Sequence, residues 1–191
     1  GSNDTPGTAE SLDASFAALG DGVGERAALV GELTGGDADV FALSLSAGQT
    51  ASVAVRGLSG NATAVELLAP SGDRLAYGIA SPTNVDQAVT DFVATASGTY
   101  TVRVTGESGS YNLAVMRDAA FGLETSGEQD LTTSGAVLGY LESGETDGYR
   151  LGLVAGQAFT ADTWTPGDGP NRFHNALNPK LELYDASGAL V

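Results

Sequence analysis

The chain carries one histidine, no cysteine and 24 acidic residues among 191, so its chemistry has few places to reside. His174 lies in the stretch TPGDGPNRFHNALN, residues 165–178, with Asp168, Asn171, Arg172 and Phe173, a short step after Trp164, the only tryptophan. Polar groups set beside two aromatic rings can stack on a sugar or grip a peptide. A loop rich in Gly, Pro and Asn is equally a plain solvated connection. A single histidine with no second His or Cys is a poor transition-metal site. Nucleophilic catalysis needs a base and an orienting acid beside a hydroxyl, so here it would rest on His174 alone. The string GESGS at 106–110 fails the G-x-S-x-G pattern, and no glycine-rich phosphate loop leads from a strand into a helix. The expectation is a protein without catalysis of its own.

Charge narrows the partners. Eight cations, seven of them Arg and the eighth Lys180, leave a formal charge of −16. Nucleic acid and anionic membrane surfaces would repel such a chain. The acidic residues are spread out, which fits a solvated surface, adaptation to salt, or a surface that gathers divalent cations. No stretch approaches the roughly 18 apolar residues of a membrane span.

The elements that must position these groups follow from a repeat. Residues 31–49, GELTGGDADVFALSLSAGQ, return as residues 139–157, GYLESGETDGYRLGLVAGQ, with nine of nineteen positions identical. Asp39 and Asp147 each stand two residues before an aromatic, Phe41 or Tyr149, where a short carboxylate can accept backbone N–H groups at a turn. Phe41, Leu43 and Leu45, then Ala51, Val53 and Val55, alternate with smaller or polar residues across the AGQ turn, as do Tyr100, Val102 and Val104, and Tyr111, Leu113 and Val115. That period of two means paired strands, with positive φ expected at Gly48 and Gly156. Ala9–Leu19, with Leu12, Phe16 and Leu19 on one face, reads as a helical turn or an edge element. Matching GDRL at 72–75 with GALV at 188–191 leaves nothing in the second copy to correspond to residues 76–115. The fold class expected is all-β: tandem antiparallel β-sandwiches of jelly-roll type, residues 1–118 and 119–191, the second incomplete at its C-terminus. The second copy also carries eight extra residues before KLELY, which places 165–178 on the surface.

NDTPGTAESL at 3–12, GDADVFALSLSAGQ at 36–49, ELLAPSGDRL at 66–75, SGTYTVRV at 97–104 and SYNLAV at 110–115, with ETDGYRLGLVAGQ at 145–157 and KLELYDASGALV at 180–191, occur in an order that resembles the bacterial pre-peptidase C-terminal domain. That domain is related to the collagen-binding domains of clostridial collagenases. The resemblance implies a secreted, extracellular bacterial protein in which these modules are a non-catalytic accessory region, attaching a neighbouring catalytic or surface domain to polysaccharide or structural protein, or aiding secretion and maturation. A structural spacer or adhesion module stiffened by calcium is the alternative. It further implies Ca²⁺ held by acidic residues near the start, here Asn3, Asp4, Asp37 and Asp39, if the N-terminal segment folds back onto the first turn. Asp39 as a turn-former and Asp4 as a cap are the simpler reading of the same residues. An unfinished second sandwich would expose strand edges, so a second chain completing it is a further expected partner.

Overall fold

A computed structural model describes residues 2–20, 22, 24–80, 82–165 and 177–191. In chain order the strands are β1 (Glu10–Ser11), β2 (Ala17–Ala18), β3 (Glu25–Leu33), β4 (Ala38–Leu45), β5 (Thr50–Gly57), β6 (Thr63–Leu68), β7 (Arg74–Tyr77), β8 (Gln87–Val93), β9 (Gly98–Gly106) and β10 (Gly109–Arg117). Four two-residue strands follow: β11 (Ala120–Phe121), β12 (Gln129–Asp130), β13 (Val137–Leu138) and β14 (Tyr149–Arg150). The described residues are all-β, their helix limited to two 3₁₀ turns at Pro6–Thr8 and Asp13–Ser15.

Two five-stranded sheets form, in the orders β1-β4-β9-β6-β7 and β2-β3-β10-β5-β8. Consecutive long strands alternate between the sheets except at β6–β7, and β9 and β10 return to the middle of each, which is jelly-roll winding. The period-two residues face inward as their spacing requires. Phe41, Leu43, Leu45, Val65, Leu67, Tyr100, Val102 and Val104 of one sheet pack on Val53, Val55, Val89, Tyr111, Leu113 and Val115 of the other. β3 escapes a reading by alternation because Ala28 and Val30 on its outer face are apolar too and interrupt the pattern of Ala27, Leu29 and Leu33.

Ala9–Leu19 is an edge element with one 3₁₀ turn in it. β1 runs parallel to β4, the turn at Asp13–Ser15 crosses over, and β2 pairs antiparallel with β3. This strap lies along one side of the sandwich because Leu12 is buried in the core, while the Leu12 amide donates to Ala42 O at 2.8 Å and the Ser44 amide to Asp13 Oδ1 at 2.9 Å.

The chain divides into two compact units, residues 1–152 and 153–191. The first extends past Asp118 because the segment after β10 is held to the sandwich: Asn84 Nδ2 donates to Gly122 O at 2.9 Å and the Thr83 amide to Glu124 O at 2.9 Å. β11 then pairs in parallel with β13, and β12 with β14.

Among the described residues of the second copy the turns recur but the five-stranded sheets do not. Gly48 and Gly156 have φ of 86° and 82°. The Gln49 amide donates to Ser46 O and the Gln157 amide to Val154 O, both at 3.0 Å, and in each turn the glutamine side chain closes back on the other residue's amide at 3.1 Å. The Ala69–Asp73 turn likewise returns as Asp185–Ala189. Of the expected strands around 149–164 and 179–184, the described residues show β14 and one bridge, Tyr184 with Leu190. Leu45 and Leu67 are 3% and 0% exposed, whereas their counterparts Leu153 and Leu183 are 47% and 45% exposed. In the first copy Leu45 and Leu67 lie on β4 and β6, which β9 joins from between them, so their burial depends on a strand that comes much later in the chain.

Candidate functional site

Several carboxylates of the first copy are committed to backbone. Asp86, between β7 and β8, accepts from the Gly57 amide at 3.0 Å, the Thr63 amide at 3.1 Å and the Thr63 hydroxyl at 2.6 Å, tying β5 to β6 across the two sheets. Burial by itself would raise its pKa, but these hydrogen bonds and the Arg56 charge outweigh it and hold the carboxyl below its ordinary range. Asp118 accepts from the Thr50 amide and the Gln49 side chain in the same way.

The N-terminal segment does fold back onto the first turn: the Val40 amide donates to Asn3 O at 2.8 Å. Asp37 accepts from the Thr34 hydroxyl and the Ala38 amide, closing the turn. Asp39 is buried, and the Tyr111 hydroxyl of β10 donates to it at 2.5 Å. Burial and this carboxylate push the Tyr111 phenol well above its usual range. Gly31 makes the arrangement possible, since a Cβ there would overlap the Tyr111 ring. Asn3 and Asp39 thus come to one end of the sandwich.

The close acidic group lies elsewhere. Among the described residues, the His, Asp and Glu side chains that gather three ligand atoms within 4.8 Å are Glu124, Glu145 and Asp147, and Asp4, Asp37 and Asp39 are not part of it. The 108-residue offset carries Asp37 onto Glu145 and Asp39 onto Asp147, so the repeat pointed to two of the three. Glu124 comes from the segment clamped by Asn84, which no spacing rule could have joined to them; its amide donates to Asn84 Oδ1 at 3.2 Å. Partial burial and then the neighbouring Asp147 and Glu145 carboxylates raise the Glu124 pKa. Tyr149 donates to Asp147 Oδ2 at 3.1 Å, and burial and this charge raise its phenol in turn. Three carboxyls held this close can bind a hard cation through oxygen or share a proton.

The second candidate is seen only in part. Trp164 is described and exposed, while Asp168, Asn171, Arg172, Phe173 and His174 lie outside the described residues.

One span, from the acidic turn at Asp37 through the end of β9, matches a known family. Residues 37–106 match the bacterial pre-peptidase C-terminal domain. The matched span is a little over a third of the chain. Pre-peptidase C-terminal domains are non-catalytic accessory domains and occur in secreted bacterial proteins. Among solved structures, the pre-peptidase C-terminal domain of a Bacillus anthracis collagenase is similar at 25% identity over 47% of this chain and 88% of that one, with a TM-score of 0.41. A periplasmic inhibitor of g-type lysozyme from Aeromonas hydrophila is similar at 23% identity over 56% and 96%, with a TM-score of 0.43. A mutant of the Escherichia coli inhibitor of the same lysozyme type is similar at 18% identity over 57% and 98%, with a TM-score of 0.38. No curated protein matches the chain. Among the described residues no helix is long and apolar enough to cross a membrane.

Proposed function

We propose that the chain is an accessory region of an exported bacterial protein that attaches a neighbouring domain to an insoluble substrate or helps it mature. The pre-peptidase C-terminal domain at residues 37–106 carries this reading. It is supported by the use of Asp13, Asp39, Asp86 and Asp118 as ties between chain segments, which is scaffold chemistry. Attachment would run through Trp164 and the loop that follows, where an exposed indole offers a stacking surface to a sugar ring or a peptide. Pull-down on insoluble polysaccharide and on collagen tests this. Saturable retention that drops at least about tenfold in Trp164→Ala and Phe173→Ala is expected, and retention no higher than that of an unrelated acidic protein refutes it.

The cluster of Glu124, Glu145 and Asp147 favours a second reading, a spacer stiffened by calcium at the segment joining the two copies. Asn3, Asp4, Asp37 and Asp39 remain the alternative ligand set in the first copy. Under the spacer reading, millimolar Ca²⁺ raises the melting temperature relative to a chelator, and Asp147→Asn removes the rise. If Asp37→Asn removes it instead, the ion belongs to the first turn; no calcium dependence at all ends the reading.

A further inference from the structure

The edge of the second sheet at β3 is open along most of its length. Among the described residues, β3 pairs with β10 on one side and, on the other, with β2 only at Glu25 and Arg26. The Leu58 amide donates to Ser110 O, so the even-numbered residues of β10 face β5 and the odd-numbered ones face β3. Through the register, Ala27, Leu29, Gly31 and Leu33 turn their backbone to β10, and Ala28, Val30 and Glu32 turn theirs outward. The Leu19 amide donating to Gly24 O on that same outer side agrees. Val30 is 68% exposed. Three successive outward N–H and C=O pairs beside an apolar side chain form a template for another strand.

The molecule itself contains a covered version of this edge. By the 108-residue offset, Ala28 and Val30 correspond to Ala136 and Leu138, which flank and include β13. There the Ala120 amide donates to Ala136 O at 2.8 Å and the Gly122 amide to Leu138 O at 2.9 Å. The backbone positions that are open on β3 are therefore those that β11 covers on β13. What covers them is the extended segment leaving β10, Ala119–Gly122, running parallel to its acceptor. Small residues at 119 and 120 allow close approach, and Phe121 supplies the apolar side chain.

We propose that the open β3 edge is a docking site for the segment leaving β10 in another copy of this module, received in parallel at Ala28, Val30 and Glu32. The β11–β13 pairing is then one instance of a joint that successive modules make, each outgoing segment closing the next module's free edge. This rests on the sequence repeat and on backbone geometry, and it is independent of any substrate or calcium role.

The test supplies the segment at high local concentration. A second copy of residues 117–124 is fused ahead of the full chain through a flexible Gly/Ser linker, and amide exchange is followed by NMR. Slowing of exchange by at least about tenfold at Ala28, Val30 or Glu32 is expected, with Ala27 and Leu29 unchanged, because a short linker gives a millimolar effective concentration. Val30→Pro in the host removes an outward N–H without touching the β10 ladder, and should abolish the slowing at Ala28 and Glu32. Should that host fold poorly, the same loss is expected from Gly122→Pro in the fused segment with the host unaltered. No slowing, slowing confined to other edges, or slowing that survives both prolines overturns the proposal. Concentration-dependent protection of the same amides in the unfused chain that persists when Gly122→Pro disables its own segment also overturns it, since a second molecule's edge would then be the occupant.

Discussion

The acidic turn of the first copy and its repeat in the second begin from similar residues and end differently. Around Asp39, a tyrosine from β10 closes over the carboxylate and a glycine clears space for its ring. Around Asp147, the tyrosine comes from the adjacent β14, and the carboxylate faces Glu145 and Glu124. A carboxylate two residues before an aromatic is thus a buried strand anchor when a central strand delivers a hydroxyl to it. Without that strand the same carboxylate sits in an acidic cluster. The chemistry available to the motif is set by what packs on it.

Three experiments sharpen or break this contrast. The largest effect is expected from Gly31→Ala, whose methyl has no room beside the buried Tyr111 ring and should cost about 3 kcal/mol in denaturant unfolding. Its counterpart Gly139→Ala meets the Tyr149 hydroxyl at 2.9 Å, at the end of a side chain able to shift, and should stay within about 1 kcal/mol. Equal costs at the two sites would show that the turns are packed alike. Next, Tyr111→Phe leaves the buried Asp39 without its donor and should cost about 2 kcal/mol, against a few tenths for Tyr149→Phe. A reversed order would mean that the second turn is the tighter one.

The smallest effects lie in pH dependence, and their signs oppose. Asp86 has a depressed folded pKa, so the stability it contributes is present above the unfolded value and is lost as pH falls below about 4. Asp86→Asn should flatten the acid limb of a stability curve. Glu124 has a raised pKa, so its folded form takes up a proton more readily, and its contribution is lost as pH rises through that raised value. Glu124→Gln should slow amide exchange in 119–124 at neutral pH and leave it unchanged in acid. The same response from both variants would refute the assignment of ties to one copy and repulsion to the other.

What the sequence determined by itself is what short-range chemistry encodes. The AGQ turns appear in both copies with the same hydrogen bonds, since a glycine at positive φ and a glutamine that reaches back need no distant partner. The inward face of β4, β5, β9 and β10 was legible because alternation fixes which side chains meet the core. Ala9–Leu19 read as a helical turn or an edge element, and it is both, a 3₁₀ turn between two edge strands, whereas β3 escaped notice because Ala28 and Val30 on its outer side are apolar too. Tertiary structure alone decided which strands persist, because a strand satisfies its backbone only through neighbours that lie far away in sequence. It also decided the acidic cluster. Glu124 joins Glu145 and Asp147 through the grip of Asn84, nearly forty residues earlier, on the chain leaving β10.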